Sequence, residues 1–243
     1  MLRAVHRVSC ASFHVLRLAR RISSLWKGTL MKVMLVNGSP HRDGCTNRAL
    51  AEIAATLEVE GVDSEVFWIG ARPVGGCMGC GGCAKGKGCV FSDVVNDFLP
   101  YVEEADGFVF GAPVHFAHAG ASLLGFMDRL FFCEPRLAGR ERSAFCHKPA
   151  AAVASARRAG TVPSLDDIDK FFSIRQMPVV SAQYWNMVHG NTPDEVERDE
   201  EGLATMRVLA RNMAWLLKSI EAGRAAGVEL PCAERAVSTN FIR

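Results

Sequence analysis

No stretch of this chain approaches the roughly 20 uninterrupted apolar residues that a membrane-spanning helix needs. Its apolar runs are short and end at Gly, Pro or charge, so no membrane span is predicted. An excess of charge is missing as well. Against 26 Asp and Glu stand 28 Lys and Arg, a formal +2 that argues against nucleic acid as the main partner. Internal repeats, low-complexity segments and a secretory signal are not seen. Nine cysteines without such a signal point to a reducing compartment, here the cytoplasm. Thiols there bind metals or react more often than they pair as disulfides.

The charge that is present is unevenly placed. Arg3, Arg7, Arg17, Arg20, Arg21 and Lys27 occupy the first thirty residues, which contain no acid, so the remainder is mildly acidic. Val5, Val8, Val15, Leu18, Ile22 and Leu25 repeat at spacings near three and four with the arginines opposite, an amphipathic helical pattern. One reading is a targeting segment similar to a mitochondrial presequence. The other, which we prefer, is that translation begins at Met31, directly before the first convincing strand. Either way residues 1–30 stay outside the fold. Residues 31–227 then form one domain with a single core. Residues 228–243, broken by Pro231, form an irregular tail that packs on the core or on a second subunit.

From Met31 strand and helix alternate. Strands are predicted at Lys32–Asn37, Ser64–Ile69, Phe108–Phe110, Ala150–Ala154 and Pro178–Ala182. Helices are predicted at Thr46–Glu60, at Asp93–Glu104 with Ser92 as cap, at Ser122–Phe132 and at Leu165–Phe172. A long last helix, Glu197–Ala222, carries Met206, Ala210, Met213, Leu217 and Ile220 on one side. Short apolar strands separated by helices imply an α/β fold: a doubly wound five-stranded parallel sheet, helices on both faces, in the flavodoxin-like order.

In such sheets ligands sit beyond the carboxyl ends of the strands where strand order reverses, here between the first and third strands. After the first strand comes Asn37-Gly38-Ser39-Pro40-His41-Arg42-Asp43-Gly44-Cys45-Thr46-Asn47. This turn delivers free amides and the Ser39 and Thr46 hydroxyls to a helix start, with charge from Arg42 or His41, and so suits an anion. It is neither a G-x-G-x-x-G dinucleotide turn nor a Gly-Lys-Ser/Thr triphosphate loop. A monophosphate such as that of FMN fits better. The competing reading is an ordinary strand-to-helix turn capped by Thr46.

Gly38-Ser39-Pro40 with Gly44 and Thr46, then Gly111-Ala112-Pro113-Val114-His115-Phe116, then Asp128-Arg129, resemble the NADPH-dependent FMN reductase and iron-sulfur flavoprotein family over most of Lys32–Gln183. The resemblance implies an FMN-dependent oxidoreductase with NADH or NADPH as donor. It implies that Ser39, Arg42, Cys45, Thr46 and Asn47 hold the FMN phosphate. Pro113, Val114, His115, Phe116, Ala117 and His118, with Ser155, Ala156, Arg157, Arg158 and Gly160, would flank the isoalloxazine. A homodimer or tetramer is implied too. Two positions depart from the usual pattern: Cys45 stands where Asn is expected, which leaves more of the phosphate to backbone amides, and His115 stands where Tyr is commoner. His115, His118 and Arg157 are possible assistants to chemistry that the flavin itself carries; packing or solvated roles compete in each case.

Cys77-Met78-Gly79-Cys80-Gly81-Gly82-Cys83, followed by Cys89, places three thiols at x2 intervals within a glycine-rich loop. This is similar to the cluster loop of iron-sulfur flavoproteins, which makes Cys77, Cys80, Cys83 and Cys89 candidate ligands of a 4Fe-4S cluster. An empty or zinc-bound loop remains the alternative. Cys10, Cys45, Cys133, Cys146 and Cys232 read mostly as small apolar residues. Ser181 to Gly190, with Tyr184 and Trp185, also resembles a family segment; no chemistry is assigned to it, and the aromatics are expected to close the core or a subunit contact. Three functions follow. The first is an enzyme passing electrons to a quinone, a nitro or azo compound, free flavin or a protein carrier. The second is an electron carrier relaying from a ferredoxin-like donor through a cluster. The third is a binding module without flavin.

Overall fold

The computed structural model describes residues 31–232 together with Thr239 and Phe241. The leader and most of the expected tail lie outside the described residues; Val228–Cys232 are exposed and irregular. Strand β1 (Lys32–Asn37), helix α1 (Cys45–Val59), β2 (Asp63–Trp68), α2 (Val94–Glu104) and β3 (Gly107–His115) come first. They are followed by β4 (His118–Ala119), α3 (Ala121–Cys133), β5 (Ala150–Ala156), α4 (Thr161–Ile174), β6 (Met187–His189), α5 (Pro193–Val196) and α6 (Glu200–Ala225). The sheet runs β2-β1-β3-β5-β6, all parallel, and β4 turns back antiparallel on the end of β3. This is the doubly wound order expected from the sequence.

Both sheet faces are covered, which is why the strands read as apolar runs rather than alternating ones. Successive side chains point to opposite faces. Met34 and Val36 of β1 join Phe108, Phe110, Phe126 and Phe172 on the face of α2, α3 and α4. Val33 and Leu35 join Leu50, Ile53, Met206 and Met213 on the face of α1 and α6. Those two helices are cross-tied by Arg207 and Glu52 (2.5 Å), with Arg48 also on Glu52 (2.8 Å). Among the described residues no helix is long and apolar enough to cross a membrane.

Two local expectations are corrected. Helix α2 is capped by Asp93, whose carboxylate accepts from the Val95 amide (3.2 Å), not by Ser92. The last strand is Met187–His189. Pro178–Val180 touch β5 only at the Ala150–Val179 bridge, after which Ser181–Asn186 leave the sheet.

Candidate functional site

The turn after β1 is closed by its own side chains. Asn37, fully buried, accepts from the Ser39 amide (3.0 Å) and donates to Arg42 O (2.9 Å). Ser39 Oγ accepts from the His41 amide (3.1 Å), and Trp68 Nε1 donates to Ser39 O (2.8 Å). The Gly38 amide donates to Gly111 O (2.8 Å), which locks the turn to β3. The Ser39, His41 and Arg42 carbonyls are thus occupied, while Gly44, the residue before α1, provides no side-chain cap. Among the described residues the amides of Cys45, Thr46 and Asn47 donate to nothing, so α1 presents three donors and its positive dipole end at one spot.

Thr46 is not the cap that an ordinary turn would use. Its buried hydroxyl pairs with Ser155 Oγ (2.8 Å), 109 residues away, and joins the turn to the end of β5. Cys45 turns its thiol toward Gly190 O (3.5 Å), and burial pushes that thiol up. Its contribution to an anion is therefore its amide. Arg42 is exposed, with its guanidinium 5.8 Å from the Trp68 ring centroid, and Asn47 is half-buried.

Pro113 to His118 form a two-residue hairpin in which His115 pairs with His118. Phe116 and Ala117 at its tip have φ of 51° and 61°, a conformation in which side chains are strained, and Phe116 is 98% exposed. Such strain persists only where surrounding contacts impose it. Here the hairpin rests on Gly160, where a Cβ would stand 2.7 Å from Ala117 Cα. His118 Nδ1 lies 2.8 Å from Ala119 O, the geometry of a donor to that carbonyl, which leaves Nε2 as the basic nitrogen. Arg157 and Arg158 are exposed with no carboxylate partner among the described residues; Arg158 offers its carbonyl to His189 Nε2 (3.0 Å). The three sequence-predicted loops therefore meet: the turn and β5 at Thr46–Ser155, the hairpin and the β5–α4 turn at Ala117–Gly160.

The four cysteines of the loop between β2 and α2 line one small cleft. Asp128 accepts from the Cys77 amide (2.7 Å), and Asn96 brackets Cys89 through its amide (2.7 Å) and carbonyl (2.9 Å). Arg129, 2% exposed, grips Asp93 through both terminal nitrogens (2.6 and 2.8 Å) and donates to Cys89 Sγ (3.4 Å). Its Nε is buried with no partner. Hence the Asp128-Arg129 motif, which carried part of the resemblance, anchors the cysteine loop. Among the described residues no three ligand side chains are drawn close enough to hold a single metal ion.

A fifth thiol shares the cleft, and the sequence reading missed it. Cys133 stands one helical turn beyond Arg129 on the same face of α3. Burial, then the neighbouring Cys83 and Cys89 sulfurs, push it up to about 12. Brief alkylation of the metal-free protein at about pH 8 should therefore modify exposed Cys80 and spare Cys133. Peptide mass mapping reads the order, and early labelling of Cys133 would contradict it.

A parallel sheet in this order, with an anion-ready turn at its switch point, defines a flavodoxin-like α/β protein. The chain belongs to the NADPH-dependent FMN reductase family, whose family model matches residues 31–192. It is similar to an iron-sulfur flavoprotein of Methanocaldococcus jannaschii, 30% identical over 202 residues that span 79% of this chain and 100% of that protein. An iron-sulfur flavoprotein of Methanosarcina thermophila is 25% identical over 196 residues (80% and 99%). Two solved structures share the fold: RosB, TM-score 0.62 at 16% identity over 88% of this chain and 94% of that one, and an archaeal flavodoxin, TM-score 0.51 at 16% identity over 77% and 99%.

Proposed function

We propose that this chain is an FMN-dependent oxidoreductase that takes electrons from NADH or NADPH and passes them to a small acceptor, a quinone, nitro or azo compound or flavin, or to a protein carrier. The observation that carries the reading is the donor set at the start of α1: three amides without acceptors beside the Ser39 and Thr46 hydroxyls, a set that fits one phosphoryl group. FMN, when bound, supplies a ring whose N5 accepts a hydride. Ser39, Thr46, Asn47, the Cys45 amide and Arg42 would hold its phosphate. Pro113 to His118 and Ser155 to Gly160 would border its ring, with His118 Nε2 able to hold a proton and Arg157 or Arg158 able to bring positive charge. The fully exposed Phe116 supports the expectation that a second copy completes this rim.

Added FMN should be taken up one to one with Kd at or below about 1 μM, read by quenching of flavin fluorescence. Under anaerobic conditions NADH or NADPH should bleach the bound chromophore. Thr46→Val removes the bond to Ser155, leaves that hydroxyl unpaired and should weaken FMN binding about tenfold or more. A protein that rejects FMN at every concentration would be the flavin-free binding module instead.

A second reading, electron relay through a 4Fe-4S cluster, is favoured by four thiols on one cleft beside the unpartnered Nε of Arg129. That donor set suits an anionic inorganic core, since donors near the sulfurs tune such clusters. Anaerobic purification with iron and acid-labile sulfide assays decides it; zinc without sulfide would indicate a structural metal.

A further inference from the structure

The outer edge of the sheet carries a second site, apart from the three loops. Ser181–Asn186, which leave the sheet between the Val179 bridge and β6, face α4 across a groove of about 520 Å³. The wall is held in place. Asn212 donates to Ser181 O (2.8 Å) and Gln183 to Thr205 Oγ1 (3.2 Å), both on α6. Of the two roles expected for Tyr184 and Trp185, closing the core or a subunit contact, the first does not hold: both are half exposed here, edge to face at 4.8 Å.

Two residues that line the groove, Asn186 and Asp169, each carry a buried oxygen with no hydrogen-bond partner among the described residues, Oδ1 in both cases. Asn186 is 9% exposed, and its amide nitrogen is committed to Val180 O (3.4 Å), which fixes the amide's orientation and leaves the oxygen unmet. Asp166 and Asp169, three apart on α4, both border the groove. Neither has an ion-pair partner among the described residues, because the neighbouring Lys170 pairs with Asp167 (3.1 Å). Burial, then Asp166, push the Asp169 carboxyl up to about 6, a cost that a bound cation offsets.

Both buried polar atoms left unmet here are acceptors, the formal charge is negative and the wall is aromatic. The occupant must bring donors and positive charge, and the phosphates of a nicotinamide nucleotide are repelled. We propose that this groove binds an organic cation with N–H donors, an ammonium or guanidinium group, between Asp169, Asn186 and the Trp185 ring. The site is independent of flavin.

Calorimetric titration of the full-length protein at constant ionic strength tests it. The probes are putrescine, guanidinium chloride, and tetramethylammonium as a cation without N–H donors. The first two should bind saturably with Kd at or below about 1 mM, and tetramethylammonium at least about tenfold more weakly. FMN-loaded and FMN-free protein should bind alike, so loss of flavin binding leaves this result untouched. Asp169→Asn and Trp185→Leu should each weaken putrescine about tenfold. Asp166→Asn, at an exposed position, should weaken it in the same direction and serves if either variant does not fold. Sedimentation during the titration separates a free amine from a side chain of a second copy. Unchanged size with saturable binding supports the free cation. No saturable heat up to about 10 mM, indifference to all three substitutions, or binding only after an oligomer dissociates overturns it.

Discussion

Replacing Asp93 with Ala should lower stability by about 3 kcal/mol and the unfolding midpoint by about 10 °C. Two losses coincide. The Val95 amide loses its cap, worth about 1 kcal/mol, and the Arg129 guanidinium, 2% exposed, is left without its counter-charge. Breaking a buried pair from the side that strands the buried charge costs about 3–5 kcal/mol, and the partial exposure of Asp93 (39% of its side chain) places this case at the lower end. The asymmetry is the test. Arg129→Met leaves a carboxylate that water can reach and should cost less than Asp93→Ala. Asp93→Asn keeps a good cap while removing the charge, so it should fall between wild type and Asp93→Ala. Acid dependence gives an independent check. Burial alone would raise the Asp93 carboxyl, but Arg129 and the Val95 amide outweigh it and hold the group below its usual value. Its contribution is therefore complete above the ordinary carboxylate range and is lost as pH falls through the lowered folded value. Chemical denaturation across about pH 2–6 should show a flatter acid limb for Asp93→Asn than for wild type. Equal stability of Asp93→Ala and Arg129→Met would mean that the pair is not buried from one side.

The layers of the fold were legible because covered parallel strands impose short apolar runs, and helix periodicity marked α1, α3 and α6 to within a few residues. What failed was whatever depended on a neighbour. Pro178–Ala182 has strand composition, yet strand length at a sheet edge is set by what the edge offers, and the chain departs after one bridge at Val179. Ser92 and Asp93 are both good caps in adjacent positions; only backbone geometry, with Asp93 extended at φ −148°, separates them. The candidate site shows the same division. The turn from Asn37 to Asn47 and the cysteine spacing are local and could be read. The Thr46–Ser155 bond spans 109 residues and could not. Cys133 looked like a small apolar residue; its spacing of four from Arg129 was the available signal, but only the docking of α3 against the cysteine loop gives that spacing meaning.

Gly160→Ala should be the most damaging small substitution at the loops assigned to the flavin ring, and two costs combine. Gly160 has φ of 91°, where an L side chain is strained by about 1–2 kcal/mol. Its new Cβ would also stand 2.7 Å from the Ala117 Cα and 2.9 Å from Val114 Cγ1, so the hairpin backbone must retreat, for a further 1–3 kcal/mol or so. Gly227 provides the control, because its φ of 85° is similar and nothing lies within 4 Å of its Cβ position. Gly227→Ala should therefore show the strain alone, about 1–2 kcal/mol, with flavin binding unchanged. Gly160→Ala should lose about 2–5 kcal/mol and weaken FMN at least about tenfold, because it separates the hairpin from the β5–α4 turn that follows Ser155. Paired thermal melts and flavin titrations of the two variants read both quantities. If the two alanines cost the same and leave FMN affinity alike, the Ala117–Gly160 contact does not position the loops proposed to border the ring, and the hairpin's strain has no part in the proposed cofactor site.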